Sequence, residues 1–240
     1  MAQQRGVGLA FAVAAAVVRP PLRLLASRRW RGAERLPRGS GFVVAANHIS
    51  HLDPVTLADF SLAQGLRPSF LAKASLFRVP VVGTALRRTA QVPVLRGTAD
   101  ARLALAAGEQ RVHDGGCVVV YPDGTITRDP ELWPMLGKTG AARIALATGC
   151  PVVPVAQWGP HLLVPRHGRP RLRPRPCLQV LVGEPVDLDR FRGRPLDAGV
   201  LQGATAAIVD AVVALLEQLR DEHAPARWDP VTDSRRQVAP

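Results

Sequence analysis

The sequence predicts an α/β domain, a mostly parallel or mixed sheet flanked by helices, preceded by an interfacial helix at the N-terminus. Three observations carry this reading. From residue 40 onward short β-prone runs alternate with helical patterns, as in a sheet with helices on its faces. A chain of 240 residues, 47% of them hydrophobic, can bury one substantial core, and nothing in it forces a second domain. The last helical pattern is the clearest: Leu201, Thr205, Ile208, Val212, Leu215 and Leu219 fall on one stripe, with Asp210, Glu217 and Arg220 off it.

In chain order, Gly6 to Val18 is an apolar run bounded by Arg5 and by Arg19-Pro20-Pro21. Its length falls short of the ~20 residues a spanning helix needs. Arg28-Arg29-Trp30-Arg31 beyond it makes a poor cleavage region and suits a helix lying on a membrane, with Arg and Trp30 at the headgroups. An ordinary packed helix is the alternative. Residues 1–34 are therefore expected to form an N-terminal membrane-surface helical segment. Strands are expected over 41–46, 69–72, 91–95, 117–121, 152–156 and 177–182, and helices over 54–64, 81–88, 98–113, 138–148 and 198–222. These place one domain over 35–222. Residues 223–240, rich in Pro, Arg and Asp and without a period, read as a flexible tail. No internal repeat is present.

Cys117, Cys150 and Cys177 are odd in number and widely spaced, which argues against a disulfide framework or a zinc site and fits a reducing cytosolic setting. The formal charge of +12 is concentrated in two places. Residues 1–38 carry eight arginines against Glu34, and Arg166, Arg169, Arg171, Arg173 and Arg175 follow one another with no acid between them. Such blocks suit nucleic acid, anionic lipid or a solubilising face. Aromatic residues are 5% of the chain and do not interleave with the arginines, so the stacking surface that bases want is missing. The expected partner is an anionic membrane surface, reached from the cytoplasmic side as a peripheral protein, and not nucleic acid.

Between the first expected strand and helix stands Asn47-His48-Ile49-Ser50-His51-Leu52-Asp53. An Asp five residues after a His, at the exit of a strand, can accept a hydrogen bond from one imidazole nitrogen and leave the other as a base. Other uses of the same residues stay open. His48, His51 and Asp53 can bind a metal, although the spacing matches neither H-E-x-x-H nor a zinc triad. Ser50 can be a nucleophile, although no G-x-S-x-G elbow is present. Asn47 and Asp53 can also simply cap a turn and the following helix.

The pattern Asn47-His48-x-Ser50-x-x-Asp53 resembles the N-H-x-S-x-x-D block of the glycerolipid acyltransferases, the 1-acylglycerol-3-phosphate acyltransferase family. The order continues with Lys73 in Leu71-Ala72-Lys73-Ala74-Ser75-Leu76-Phe77, then Pro80 and Gly83, then Val92-Pro93-Val94-Leu95-Arg96. Tyr121-Pro122-Asp123-Gly124-Thr125 is similar to the family's F-P-E-G-T block, and Val152-Val153-Pro154-Val155-Ala156 to its final V-P-V block. The likeness runs from about residue 35 to 190. There are two departures: Asp123 stands where the family usually has Glu, and Ile126 where it usually has Arg directly after the Thr, the nearest arginine being Arg128.

The resemblance implies transfer of an acyl group from acyl-CoA or acyl carrier protein to the free hydroxyl of 1-acylglycerol-3-phosphate. Its catalytic pair would be His48 and Asp53, with no metal and no cofactor beyond the thioester co-substrate. Substrate contacts would come from Asn47, Ser50, Lys73, Arg96, Asp123, Gly124, Thr125, Arg128 and Lys138. Arg96 closes an expected strand and can hold a phosphate through two N–H groups. The Asp123-Gly124-Thr125 turn can face an anion with backbone amides. Lys73 and Lys138 are the only lysines among 31 basic residues, which suggests a need for a compact charge there. Gly137-Lys138-Thr139 lacks the upstream glycine of a P-loop, so nucleotide binding is not expected. A relative acting on another lysolipid, a glycolipid or an aminolipid is the alternative within the enzymes. The alternative outside them is a non-catalytic protein that binds anionic lipid.

Overall fold

A computed structural model describes residues 2–94, 100–171 and 175–236. Its centre is β2 (Phe42–Ala46), every residue of which is buried. On one side lie β5 (Cys117–Val120), β3 (Ser69–Lys73) and the edge strand β4 (Val92–Val94). On the other lie β6 (Val152–Trp158), β7 (Cys177–Val182) and the opposite edge strand β1 (Ser27–Arg31). All neighbours are parallel except β6 and β7. The sheet is therefore mixed, with β7 and β1 running against the rest.

The alternation within β2 sorts the helices. Val43 and Ala45, with Val118, Val120 and Val152, face α5 (Gly140–Thr148), α7 (Ala198–Arg220) and the end of α4 (Asp100–His113). Phe42, Val44 and Ala46 face the other way, onto Leu57 and Phe60 of α2 (Asp53–Ala63). Strands buried on both faces read as unbroken apolar runs, and the runs predicted from sequence match the observed strands to within two residues wherever they are described. The same holds for the predicted helices. The stripe on α7 is buried as expected, from Leu201 through Leu215.

The two ends of the chain depart from expectation. α1 (Ala2–Leu25) runs through Pro20 and Pro21 to 24 residues. Its stretch Val7–Leu25 is long and apolar enough to cross a membrane by length and composition, with 11% of it buried. The thirteen-residue count made from sequence stopped at Arg19 and so fell short. Residues 27–31 are not helical: they form β1, paired in parallel with β7. Trp30 accordingly packs edge-on against Phe60, and Arg28 ion-pairs with Asp59 at 2.7 Å. The tail also has structure. β8 (Arg227–Asp229) and β9 (Ser234–Arg236) form a hairpin, and Trp228 bridges to Met135 in the loop after β5.

Short elements complete the chain. A 3-10 turn at Ala74–Arg78 leads to α3 (Val82–Arg88), which packs near α1, and α6 (Pro160–Leu163) follows β6. Gly159, at φ +101°, makes the turn between β6 and α6, and a Cβ there would strike the Cys177 carbonyl.

Candidate active site

The residues of interest gather at the carboxyl ends of β2, β3, β5 and β6, where an open sheet changes direction and commonly holds its ligand. β2 delivers His48 two residues past its end, and β5 delivers Tyr121 immediately after its last residue. β3 ends on Lys73, and the segment after α6 brings in Arg166.

Asp53 opens α2 with Pro54 next, a preorganised helix start that suits an acid in the first turn. Its Oδ2 accepts from the amides of Ile49 at 2.6 Å and Ser50 at 2.7 Å. The same oxygen lies 2.9 Å from Nδ1 of His48. With a carboxylate as acceptor Nδ1 carries the proton, so Nε2 is left as a base. Nε2 has no protein partner among the described residues. The His48 ring is stacked on Tyr121 at 4.2 Å, and its backbone carbonyl accepts from the Thr127 amide at 2.8 Å. Ring plane and ring position are thus both fixed.

Burial raises the Asp53 pKa from its ordinary value, opposed by the His48 hydrogen bond and charge and by the two amides. Burial first, and then the charge of Asp53, raise the Tyr121 phenol well above its ordinary value, so this ring stays neutral beside the imidazole.

His48 lines a cavity of about 1020 Å³. Its apolar wall includes Phe11 and Val18 of α1, Val55 and Leu62 of α2, and Phe70 and Leu105. Lys73, Lys138 and Arg166 also line it, and among the described residues none of the three has an acidic partner. Arg19 and Asp59, which line it too, are paired with each other at 2.6 Å. A largely apolar volume with uncompensated cations and an oriented imidazole suits a ligand with a long apolar part and an anionic head.

The other residues singled out from sequence take different places. Gly124 lines the cavity at φ +65°, and a Cβ there would run into the Lys138 side chain, so the turn and the lysine are fitted to each other. Thr125 and the mostly buried Ile126 line the cavity as well. Asp123 does not: it is buried beneath the turn, where its Oδ1 accepts from the Met135 amide at 2.9 Å, and burial pushes its pKa up to about 8. Asn47 is buried and exchanges two hydrogen bonds with the Gln157 backbone, at 2.9 and 2.7 Å, joining the exit of β2 to β6. Ser50 is fully buried, with its hydroxyl donating to the Val164 carbonyl at 2.5 Å, so it is not placed as a nucleophile. Arg128 is exposed and reaches the Pro230 carbonyl at 3.2 Å, away from the cavity. Arg96 lies outside the described residues. Among those described, no group of three or more His, Cys, Asp or Glu is placed to hold a metal.

Sequence reasoning missed Tyr121 as the shelf for His48 and Arg166 as a cavity cation. It also missed Asp59, which holds Arg19 of α1 and Arg28 of β1 together at the cavity wall. The only signal for Arg166 was its place at the head of the second arginine block.

Comparison with known proteins supplies a context for this arrangement. Residues 27–158 match the family model described as Acyltransferase. The chain is 35% identical over 137 residues to a chloroplastic 1-acyl-sn-glycerol-3-phosphate acyltransferase of Brassica napus, covering 56% of this chain but only 38% of that protein's own length. It is 30% identical over 162 residues to the 1-acyl-sn-glycerol-3-phosphate acyltransferase of Bacillus subtilis, covering 68% of this chain and 75% of that one. Among solved structures it resembles the 1-acyl-sn-glycerophosphate acyltransferase PlsC of Thermotoga maritima, with a TM-score of 0.68 and 25% identity, over 93% of this chain and 83% of that one.

Proposed function

The chain belongs to the acyltransferase family, and on that premise we propose that it moves a fatty acyl group from a thioester to the free hydroxyl of 1-acylglycerol-3-phosphate, giving phosphatidic acid. The observation that carries this reading is the His48 imidazole, oriented by Asp53 and facing a largely apolar cavity of about 1020 Å³ that also holds cations. Nε2 takes the proton of the acceptor hydroxyl as its oxygen attacks the thioester carbonyl carbon. The C–S bond then breaks, and the departing thiolate recovers the proton from the imidazolium that Asp53 has steadied. The donor, coenzyme A or acyl carrier protein, is a co-substrate, and the chemistry asks for no resident cofactor.

Membrane access belongs to the same proposal. Leu9, Val13 and Val17 recur at helical spacing on the outer side of α1, each more than half exposed, with Leu24 a further two turns on. Just before α3, Val81 is 82% exposed at φ +65°, a conformation that costs a β-branched residue energy. An apolar face beside arginines suits the surface of an anionic leaflet, approached from the cytoplasm, where a lysophospholipid acceptor resides.

The test is a thioester assay with a panel of lysolipids, following free thiol and lipid product together. Wild-type protein is expected to acylate 1-acylglycerol-3-phosphate. His48→Ala is expected to lower turnover by about 10²–10⁴-fold, the range for a lost general base, with the protein still folding cooperatively in a melting curve. Undiminished transfer by His48→Ala would remove this mechanism.

A further inference from the structure

Ile126 leaves the position after Thr125 without a cation, and Arg128 is exposed and reaches the Pro230 carbonyl instead of the cavity. The cavity is nonetheless supplied with a guanidinium from elsewhere in the chain. Arg166, on the segment after α6, is half-buried and lines the cavity. Its Nη1 donates to the Thr127 carbonyl at 2.6 Å. The Thr127 amide in turn donates to the His48 carbonyl at 2.8 Å. One residue of backbone thus links the guanidinium to the base. The remaining N–H groups of Arg166 have no partner among the described residues, so the fork is anchored at one corner and free at the others. Lys138 lies against Gly124 in the same cavity, likewise without an acid.

We infer that Arg166, with Lys138, binds the phosphomonoester of the acceptor lipid, and that Arg166 is the residue by which this enzyme prefers a phosphorylated acceptor. The inference rests on the acyl-transfer reading of the site. Arg166 is half-buried with N–H groups to spare and Lys138 is exposed in the same cavity, so an anion between them completes both. A planar fork held at a fixed distance from His48 recognises a phosphate through paired N–H groups. In the acceptor the phosphate and the reacting hydroxyl sit on adjacent carbons, so fixing one positions the other beside Nε2. A phosphomonoester also occurs on coenzyme A, so the two sources must be told apart.

Binding and turnover answer separately. Calorimetry compares a short-chain 1-acylglycerol-3-phosphate with the matching 1-acylglycerol, and coenzyme A with its 3′-dephospho form, for wild type, Arg166→Gln and Arg169→Gln. Arg166→Gln is expected to lose about 10–100-fold in affinity for the phosphorylated lipid and none for the unphosphorylated one, with coenzyme A unaffected. Arg169→Gln removes the same charge from the exposed part of the same segment and is expected to change neither. In turnover the loss is expected in KM for the phosphorylated acceptor and not in KM for the thioester. A preference that survives Arg166→Gln overturns the inference, as does a loss confined to coenzyme A. Equal losses for both lipids, the mark of a merely displaced Thr127 loop, overturn it as well. If wild type binds the phosphorylated lipid selectively through Arg166 but transfers no acyl group, the anion site stands and the acyl-transfer reading falls.

Discussion

The residues of the F-P-E-G-T-like turn divide their work in a way the motif alone does not disclose. Gly124 and Thr125 face the cavity, while Asp123 turns inward and holds the Met135 amide. Its pKa of about 8 makes a stability prediction. The folded chain holds this proton up to about pH 8, while the unfolded chain gives it up near the ordinary value of 3.8. Between those values the native state binds more protons, so stability falls as pH rises through the window. Asp123→Asn keeps an acceptor for Met135 and removes the titration. Its melting temperature relative to wild type is expected to be higher at pH 8 than at pH 5 by at least ~3 °C, the shift ~1 kcal/mol gives in a chain of this size. Differential scanning calorimetry at the two pH values checks this, and equal differences at both would show that Asp123 titrates normally. His48 and Asp53 were legible in the sequence because their meeting needs only a five-residue turn. Arg166 and Asp59 were not: their partners lie 39, 40 and 31 residues away, and no local pattern encodes such meetings.

At the scale of elements, the strands buried on both faces and the α7 stripe were readable because burial imposes continuous or periodic hydrophobicity. The edge strand β1, Ser27–Arg31, was not, since every second residue faces solvent and three of five are arginine. The β8–β9 hairpin was hidden for a related reason. It consists of three-residue strands secured by contacts distant in sequence, chief among them Arg235 on Asp129 at 2.9 and 3.0 Å. That pair braces the loop carrying Thr127, Ile126 and the cavity-facing turn. Arg235→Ala leaves the buried Asp129 carboxylate without its cation and is expected to cost about 1–3 kcal/mol in urea denaturation. A smaller loss of turnover, equal for all acceptors, should accompany it. An unaltered urea midpoint would mean that the hairpin is not a brace.

For the whole molecule, the +12 charge was read correctly as clustered, but the clusters are not simply a surface. Arg19 and Arg28 are engaged by Asp59, Arg35 by Glu184, and Arg166 turns into the cavity. What remains for a membrane is the outer side of α1 and the arginines that stay exposed, such as Arg23, Arg29, Arg31 and Arg169. Replacing Leu9, Val13 and Val17 together with Gln is expected to release the protein from vesicles of anionic phospholipid while leaving its melting temperature within about 2 °C, because these side chains are exposed. Sedimentation with the vesicles measures it. Undiminished sedimentation would place the contact elsewhere.

Asp59 gives the first helix a meaning beyond adhesion. One interior carboxylate is shared by a helix that walls the substrate chamber and a strand that finishes the sheet. The leading segment is therefore no interchangeable tag. Trimming it to ease handling would strip one flank from the chamber and leave Asp59 to Arg28 alone, and a graft from a relative would have to bring a matching arginine in register.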